Sequence, residues 1–253
     1  MTRSGSRGGG SKGIVGKGRG GKGRGRAGTK PSGRSLAVRV KTAKGRRSAS
    51  TRWLKRQLND PYVAEAQRLG YRSRAAFKLA QIDDKLGLLK AGSRVLDLGA
   101  APGGWSQVVL ERVGPKGRLV GIDLTEIEPL AGATFLQGDF LDEEAPERLR
   151  DALGGPADVV LTDMAAPATG HAQTDHLRIM ALAEAAYAFA REILAPGGAF
   201  LAKVLQGGSE RSLLEALKRD FAKVRHIKPP ASRKDSAELY VVAIGFRGSG
   251  EDG

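Results

Sequence analysis

Two lysines and two carboxylates interrupt otherwise apolar stretches of this sequence, on four separate predicted elements. Lys78 lies among apolar residues of a predicted helix, and Lys203 lies inside an apolar run predicted to be a strand. Asp163 ends another apolar run, and Glu238 opens the last one. A lysine in a buried strand is unfavourable unless it is paired or partly deprotonated, so Lys203 is a candidate functional residue. The alternatives are a Lys78 that snorkels to the surface and a Lys203 that reaches solvent at its strand end.

A second candidate site is a glycine turn that follows a short apolar strand within residues 94–107. The turn contains Gly99, Gly103 and Gly104, and glycine lets a ligand touch the backbone because it has no Cβ. Neither the G-x-G-x-x-G pattern of dinucleotide sites nor the terminal Gly-Lys-Ser/Thr of a phosphate loop is present. No Lys or Arg lies in the turn to receive a pyrophosphate. The turn therefore predicts a nucleotide-type ligand without phosphate groups.

Acidic residues lie at the ends of three successive predicted strands. Asp97 is in the strand before the glycine turn, Asp123 ends the second strand, and Asp139 lies at the end of the third. An acid at the tip of the second strand can bind two ribose hydroxyls, and the other two suit an amino acid's ammonium and an adenine amino group. A nucleoside that carries an amino acid and no phosphate is S-adenosylmethionine. The alternative is that these acids are solvated strand ends or helix caps.

The hydrophobic periodicity predicts an α/β domain built around a mostly parallel sheet. A helix that opens at Pro61 and another capped by Ser73 precede the first strand. The turn Pro196-Gly197-Gly198 is expected to separate a long helix from the fifth strand. The predicted strands are 95–98, 117–123, 134–140, 158–163, 199–205, 223–228 and 238–245, and the predicted helices between them are 105–113, 142–153, 174–194 and 209–221.

The charge of this 253-residue chain is concentrated at one end. Residues 1–50 contain 15 of the 42 Lys and Arg residues and no Asp or Glu, which leaves 27 basic residues beside 27 acidic ones in the remainder. We expect residues 1–47 to be a disordered, basic, Gly-rich arm, since few apolar residues are available to bury. Residues 48–247 form the predicted domain, and residues 248–253 form a tail. The arm favours attraction to nucleic-acid phosphates, and a purely solubilising tail is the alternative.

Composition also limits the class of protein. The sequence has no cysteine, so we expect no disulfide and no thiolate metal site. His171, His176 and His226 show no spacing typical of metal ligands, and we expect no metal. No apolar run approaches the roughly 20 residues that span a bilayer. The arm lacks the apolar segment of a signal peptide, and we expect a cytoplasmic protein with no membrane partner.

Between residues 48 and 245 the sequence resembles the FtsJ/RlmE family of ribosomal RNA 2′-O-ribose methyltransferases. The resemblance depends on several separate motifs rather than on the glycine turn alone. These motifs are residues 73–79, 97–107, 137–140, 163–165, 194–198, 203–207 and 238–242.

The resemblance implies a Rossmann-like, S-adenosylmethionine-dependent methyltransferase with a seven-stranded sheet and helices on both faces. It implies a catalytic set of Lys78, Asp163, Lys203 and Glu238. It also implies a monomer whose substrate is a uridine ribose in the 23S ribosomal RNA of the large subunit. The implied cofactor contacts are Gly103, Trp105, Asp123, Asp139 and Asp163.

On this interpretation Lys203 accepts the proton of the attacking ribose 2′-hydroxyl, and Asp163 orients Lys203. The sequence departs from the family pattern at residues 163–167, Asp-Met-Ala-Ala-Pro, so the loop near the target nucleotide is expected to differ. Methylation of another RNA and a non-catalytic role in ribosome assembly are the alternatives. An NAD-dependent oxidoreductase is disfavoured by the glycine spacing.

Overall fold

The computed structural model describes residues 54–55, 57–166, 169–206 and 211–248. The predicted arm, residues 1–47, and all but the first residue of the predicted tail lie outside these ranges, as does part of the loop after Asp163.

Seven strands form one sheet in the order β3-β2-β1-β4-β5-β7-β6. The first five strands pair in parallel, and β7 is antiparallel to both of its neighbours, β5 and β6. The mostly parallel seven-stranded sheet expected from the sequence is therefore confirmed. The strands are β1 Arg94–Leu98, β2 Arg118–Asp123, β3 Ala133–Gln137, β4 Ala157–Thr162, β5 Leu194–Leu205, β6 Phe221–Ile227 and β7 Glu238–Phe246.

Helices cover both faces of this sheet because successive strand residues point to opposite sides. In β1, Leu96 and Leu98 belong to one buried cluster and Val95 to another. The first cluster packs under α4, α5 and α6, and the second under α2 and α3. None of the helices in the described ranges is long and apolar enough to cross a membrane. The helices are α1 Pro61–Leu69, α2 Ala76–Leu86, α3 Gly104–Val113, α4 Ala145–Leu153, α5 Ala172–Ile193 and α6 Arg211–Asp220.

Three local predictions were wrong. Strand β3 ends at Gln137, so Asp139 lies two residues beyond it. Helix α2 begins at Ala76 with no side-chain cap, and Ser73 instead fills the space that a Cβ on Gly104 would need. Strand β5 begins at Leu194, before the expected turn at residues 196–198, and the turn lies inside it as a bulge. Leu194 pairs with Ala157 and Ala199 with Val159, so residues 195–198 leave the ladder, and Gly197 has a φ of +83° that glycine accommodates.

The topology brings the chemically interesting residues to one edge of the sheet. The parallel strands β1, β2, β4 and β5 all end there, and the antiparallel β7 begins there, with Glu238 opposite Leu205 in the register. Helix α2 packs in the cluster on one face and carries Lys78 toward the same edge. Ligands of open α/β sheets bind at this carboxyl edge.

Candidate active site

Asp163 and Lys203 form the first half of a charged array at the carboxyl edge. Asp163 directly follows β4, and Lys203 lies in the neighbouring strand β5 with 8% of its surface exposed. Nζ of Lys203 donates to the backbone oxygen of Asp163 at 2.6 Å and lies 3.3 Å from Oδ1 of the same residue. A Lys203 that reaches solvent is therefore excluded, since its Nζ is held inside the structure by contacts with Asp163.

Lys78 and Glu238 form the second half. Nζ of Lys78 lies 2.7 Å from Oε2 of Glu238 and 3.9 Å from Oδ2 of Asp163. The other oxygen of Glu238 accepts the hydroxyl of Ser232 at 2.8 Å. Lys78 has 7% of its surface exposed, so it does not snorkel. Positive and negative groups thus alternate along the array Glu238, Lys78, Asp163, Lys203, and Asp163 is shared by both lysines.

Tyr240 connects the two halves, and the sequence interpretation did not include it. Its hydroxyl accepts a hydrogen bond from Nζ of Lys78 at 3.0 Å and donates one to Oδ1 of Asp163 at 2.8 Å. Burial, assisted by the nearby charges of Asp163 and Glu238, raises the pKa of Tyr240 well above its usual value, so the hydroxyl stays protonated. A usable signal was present, because residues two apart in a strand share a face and Tyr240 follows Glu238 by two.

Asp97 is a buried carboxyl group beneath this array. Only 1% of its surface is exposed, and Oδ2 accepts the hydroxyl of Ser106 at 2.8 Å. Burial raises the pKa of Asp97 to about 7, the bond from Ser106 opposes that shift, and the negative charges of Asp163 and Asp123 add to it. Asp97 therefore changes its ionisation near neutral pH.

The glycine turn is held by Arg72, a second residue that the sequence interpretation missed. Its guanidinium group donates to the backbone oxygens of Pro102, Glu128 and Pro129 at 3.2, 2.7 and 3.0 Å. The same side chain lies against Gly103, where a Cβ would be 2.9 Å from Nη1. Arg72 thereby ties the glycine turn to the loop after β2. Sequence spacing does not reveal this role, because the backbone oxygens that Arg72 binds belong to residues far from it in the chain.

The predicted cofactor residues occupy different environments. Asp123 accepts the backbone N–H of Ala101 on Oδ2 at 3.0 Å and that of Thr125 on Oδ1 at 2.9 Å. Asp139 accepts the N–H of Leu141 on Oδ1 at 2.9 Å, and both acids are half-buried. Trp105 is 4% exposed, and its Nε1 donates to the backbone oxygen of Ala75. The indole of Trp105 thus packs beneath the turn.

This donor and acceptor set fits S-adenosylmethionine. Each carboxylate oxygen can accept two hydrogen bonds, so Asp123 and Asp139 keep acceptor capacity for ribose hydroxyls and an amino group. Gly99 and Gly103 have positive φ angles, a backbone region that favours glycine, so these positions present no side chain to a ligand. The basic side chain at the turn, Arg72, is already occupied by backbone oxygens. Within the described residues no group of three metal-ligating side chains exists.

A pocket of about 230 Å³ adjoins the array on the side of Glu238. Arg74 and Arg233 line it, and both are paired with Asp60, at 2.9 and 3.3 Å. The pocket therefore carries less free positive charge than its composition suggests.

Comparison with known proteins identifies the family of this chain. A family model described as FtsJ-like methyltransferase matches residues 71–246, which is more than half of the chain. A relative from Paramagnetospirillum magneticum is 64% identical, covering 87% of this chain and 93% of its own length, and one from Xanthobacter autotrophicus is 62% identical, covering 87% and 88%. Both relatives are named ribosomal RNA large subunit methyltransferase E.

A solved structure from Plasmodium falciparum, described as a ribosomal RNA methyltransferase, shares 32% identity and has a TM-score of 0.64. It covers 70% of this chain and 100% of its own. The family model and these relatives cover most of the chain, and the chain therefore belongs to the FtsJ-like methyltransferase family.

Proposed function

We propose that this protein methylates the 2′-oxygen of a uridine ribose in 23S ribosomal RNA of the large ribosomal subunit. The methyl donor is S-adenosylmethionine, as in the FtsJ-like methyltransferases. The names of the bacterial relatives support ribosomal RNA of the large subunit as the substrate class. The observation that carries the chemistry is the buried array of Lys78, Asp163, Lys203 and Glu238 beside the glycine turn.

Bound S-adenosylmethionine supplies an electrophilic methyl group on a sulfonium, which leaves the protein to position the reactants and to manage one proton. A ribose 2′-hydroxyl is a poor nucleophile until its proton is leaving. In this proposal Nζ of Lys203, in its neutral form, takes that proton. Asp163 then pairs with the ammonium that forms, through its backbone oxygen at 2.6 Å and its Oδ1 at 3.3 Å. A carboxylate orients a general base in the same way in catalytic triads.

Lys78 has a different part in the proposal, since it already has its own carboxylate. Glu238 lies 2.7 Å from Nζ of Lys78, and Tyr240 accepts a second hydrogen bond from that nitrogen. In this proposal Lys78 and Glu238 therefore fix the position of the Asp163 carboxylate and of the target ribose. Gly103, Trp105, Asp123, Asp139 and Asp163 are the residues proposed to hold the cofactor, with Trp105 acting through its backbone and its packing.

The proposal also covers the contacts with RNA, the oligomeric state of the protein and its location in the cell. Residues 1–47 and the polar loop at 229–237 supply phosphate contacts, and Lys228 donates to the backbone of that loop at its base. The protein acts as a monomer in the cytoplasm. Light scattering of the full chain and fractionation of cells expressing it would test these two points.

The decisive experiment is methyl transfer from labelled S-adenosylmethionine to large ribosomal subunits from a strain lacking this protein. A single alkali-resistant ribose methyl that nuclease mapping assigns to a uridine of 23S RNA is the expected product. Methylation of a different RNA, or cofactor binding without any incorporation, would contradict the proposal and favour another RNA substrate or an assembly factor.

A further inference from the structure

A second pocket lies at the opposite edge of the sheet, where the parallel strands begin. It has a volume of about 630 Å³, and its lining includes Arg94, Lys116, Arg118 and Asp158. We name it the amino-edge pocket. Ligands of α/β sheets normally bind at the other edge, so the family's cofactor site does not account for it.

Two exposed arginines from neighbouring strands line this pocket. Arg94 and Arg118 are the first residues of β1 and β2 and are direct partners, so their side chains share one face. Both side chains reach the turn after α4. Nη1 of Arg118 would lie 2.7 Å from a Cβ built on Gly154, and Nη1 of Arg94 would lie 3.1 Å from a Cβ built on Gly155. The C-terminus of a helix carries partial negative charge, which favours cations at this position.

The basic side chains of the amino-edge pocket form no ion pair with an acidic side chain that the structure describes. In the described part of the chain no ion pair involves Arg94, Lys116 or Arg118. Asp158 is the one acid in the lining, and its Oδ2 accepts the backbone N–H of Arg94 at 2.8 Å. The pocket near Glu238 differs, because Asp60 occupies both of its arginines.

We propose that the amino-edge pocket binds backbone phosphates of the ribosomal RNA substrate, as an anchor remote from the methylated ribose. Arginine presents forked donors that match phosphate oxygens, and an open pocket admits a polymer. Strand β1 has five residues, which at about 3.3 Å per residue separates the two edges by roughly 15 Å. A small ligand cannot touch both edges, whereas a folded RNA can. The inference rests on the proposed function for the identity of the RNA.

The test compares two triple variants of the full chain with equal loss of charge. The first is Arg94→Gln, Lys116→Gln and Arg118→Gln. The control is Lys218→Gln, Lys223→Gln and Arg225→Gln, exposed residues on α6 and β6. We expect the pocket variant to raise KM for large subunits about tenfold, with kcat unchanged. We also expect the slope of log binding constant against log salt concentration (the salt slope) to fall in magnitude by up to about three. The control is expected to change KM less than about twofold, since scattered surface charges contribute little.

Equal KM values and salt slopes for the two triple variants would overturn the inference. Inorganic phosphate binding that the pocket variant loses, with an unchanged KM for subunits, would assign the pocket to a small anion and overturn it as well. If the pocket variant fails to fold, Lys116→Gln alone, in an exposed turn, is expected to reduce the salt slope of binding by about one, and an unchanged slope would overturn the inference. Wild-type protein that binds subunits without methylating them would contradict the proposed function only, because binding and its salt slope still test the pocket.

Discussion

The hydroxyl of Tyr240 donates a hydrogen bond to Oδ1 of Asp163, the same oxygen that lies 3.3 Å from Nζ of Lys203. Tyr240 therefore sets the orientation of the carboxylate on which the proposed proton acceptor depends. Because Tyr240 also accepts from Lys78, one buried hydroxyl connects both lysines of the array.

Replacing Tyr240 with Phe should lower kcat while leaving KM for large subunits nearly unchanged. Hydrogen bonds to charged groups contribute about 1.5–3 kcal/mol, which corresponds to a roughly 10- to 100-fold lower rate. Tyr187→Phe is the matched control, since Tyr187 is also buried and donates to a carboxylate, Asp220, away from the site. Steady-state methyl transfer by both variants is the measurement, and equal kcat values for them would refute a positioning role for Tyr240.

Lys203→Ala should abolish methyl transfer and leave cofactor binding by calorimetry largely intact. Lys203→Arg separates two roles, because arginine keeps the positive charge but does not give up its proton in proteins. An inactive Arg variant is expected if Lys203 accepts the proton. Substantial activity of Lys203→Arg would mean that the position needs only a cation, and a near wild-type rate for Lys203→Ala would make the assignment wrong. Lys223→Ala, on the exposed edge strand β6, is the control.

Gly99→Ala should weaken cofactor binding and reduce the rate of methyl transfer. Gly99 has a φ angle of +79°, and a Cβ there would collide with the side chain of Met164, next to Asp163. The left-handed backbone alone costs about 1–2 kcal/mol for alanine. Gly87→Ala isolates this backbone cost, because Gly87 has a φ of +64° and open space around it. Gly99→Ala should therefore lose more stability than Gly87→Ala in thermal unfolding, and only Gly99→Ala should lose affinity for the cofactor.

The buried carboxyl of Asp97 should make stability fall as the pH rises. Its pKa is about 7 in the folded protein and 3.8 when unperturbed, so the folded state holds one more proton between these values. Raising the pH through this window removes that stabilisation, by up to ~4 kcal/mol. Asp97→Asn cannot ionise, and its free energy of unfolding should overtake that of the wild type between about pH 4 and pH 7. Parallel curves from urea unfolding across this range would contradict the prediction.

Deleting residues 1–45 should weaken binding to large subunits and flatten its dependence on salt. The deleted segment carries a large share of the basic residues, and each phosphate contact that is lost reduces the salt slope by about one. Cofactor affinity serves as the internal control, since no arm residue belongs to the proposed cofactor site. Binding that is unchanged across salt concentrations would favour a purely solubilising arm.

Sequence reasoning identified the components of the site better than their contacts. The glycine turn and the acids Asp97 in β1 and Asp123 at the end of β2 were recognisable because local spacing determines a strand followed by a turn. Lys78 and Lys203 were recognisable because each interrupts an apolar run. Asp139 was placed in a strand that ends two residues earlier, since only pairing with β2 decides where β3 stops.

The sequence by itself determined the order of the strands and helices, the composition of the glycine turn and the identity of the four charged residues. Only the tertiary structure decided which of these residues touch. Lys78 and Glu238 are 160 residues apart in the chain, and their pairing depends on the register of β7 against β5, where Tyr240 lies opposite Lys203. The same holds for Arg94 and Arg118, which meet through the register of β1 and β2. Register is a long-range property of the folded sheet, because strands far apart in the chain must bring their buried faces into alignment.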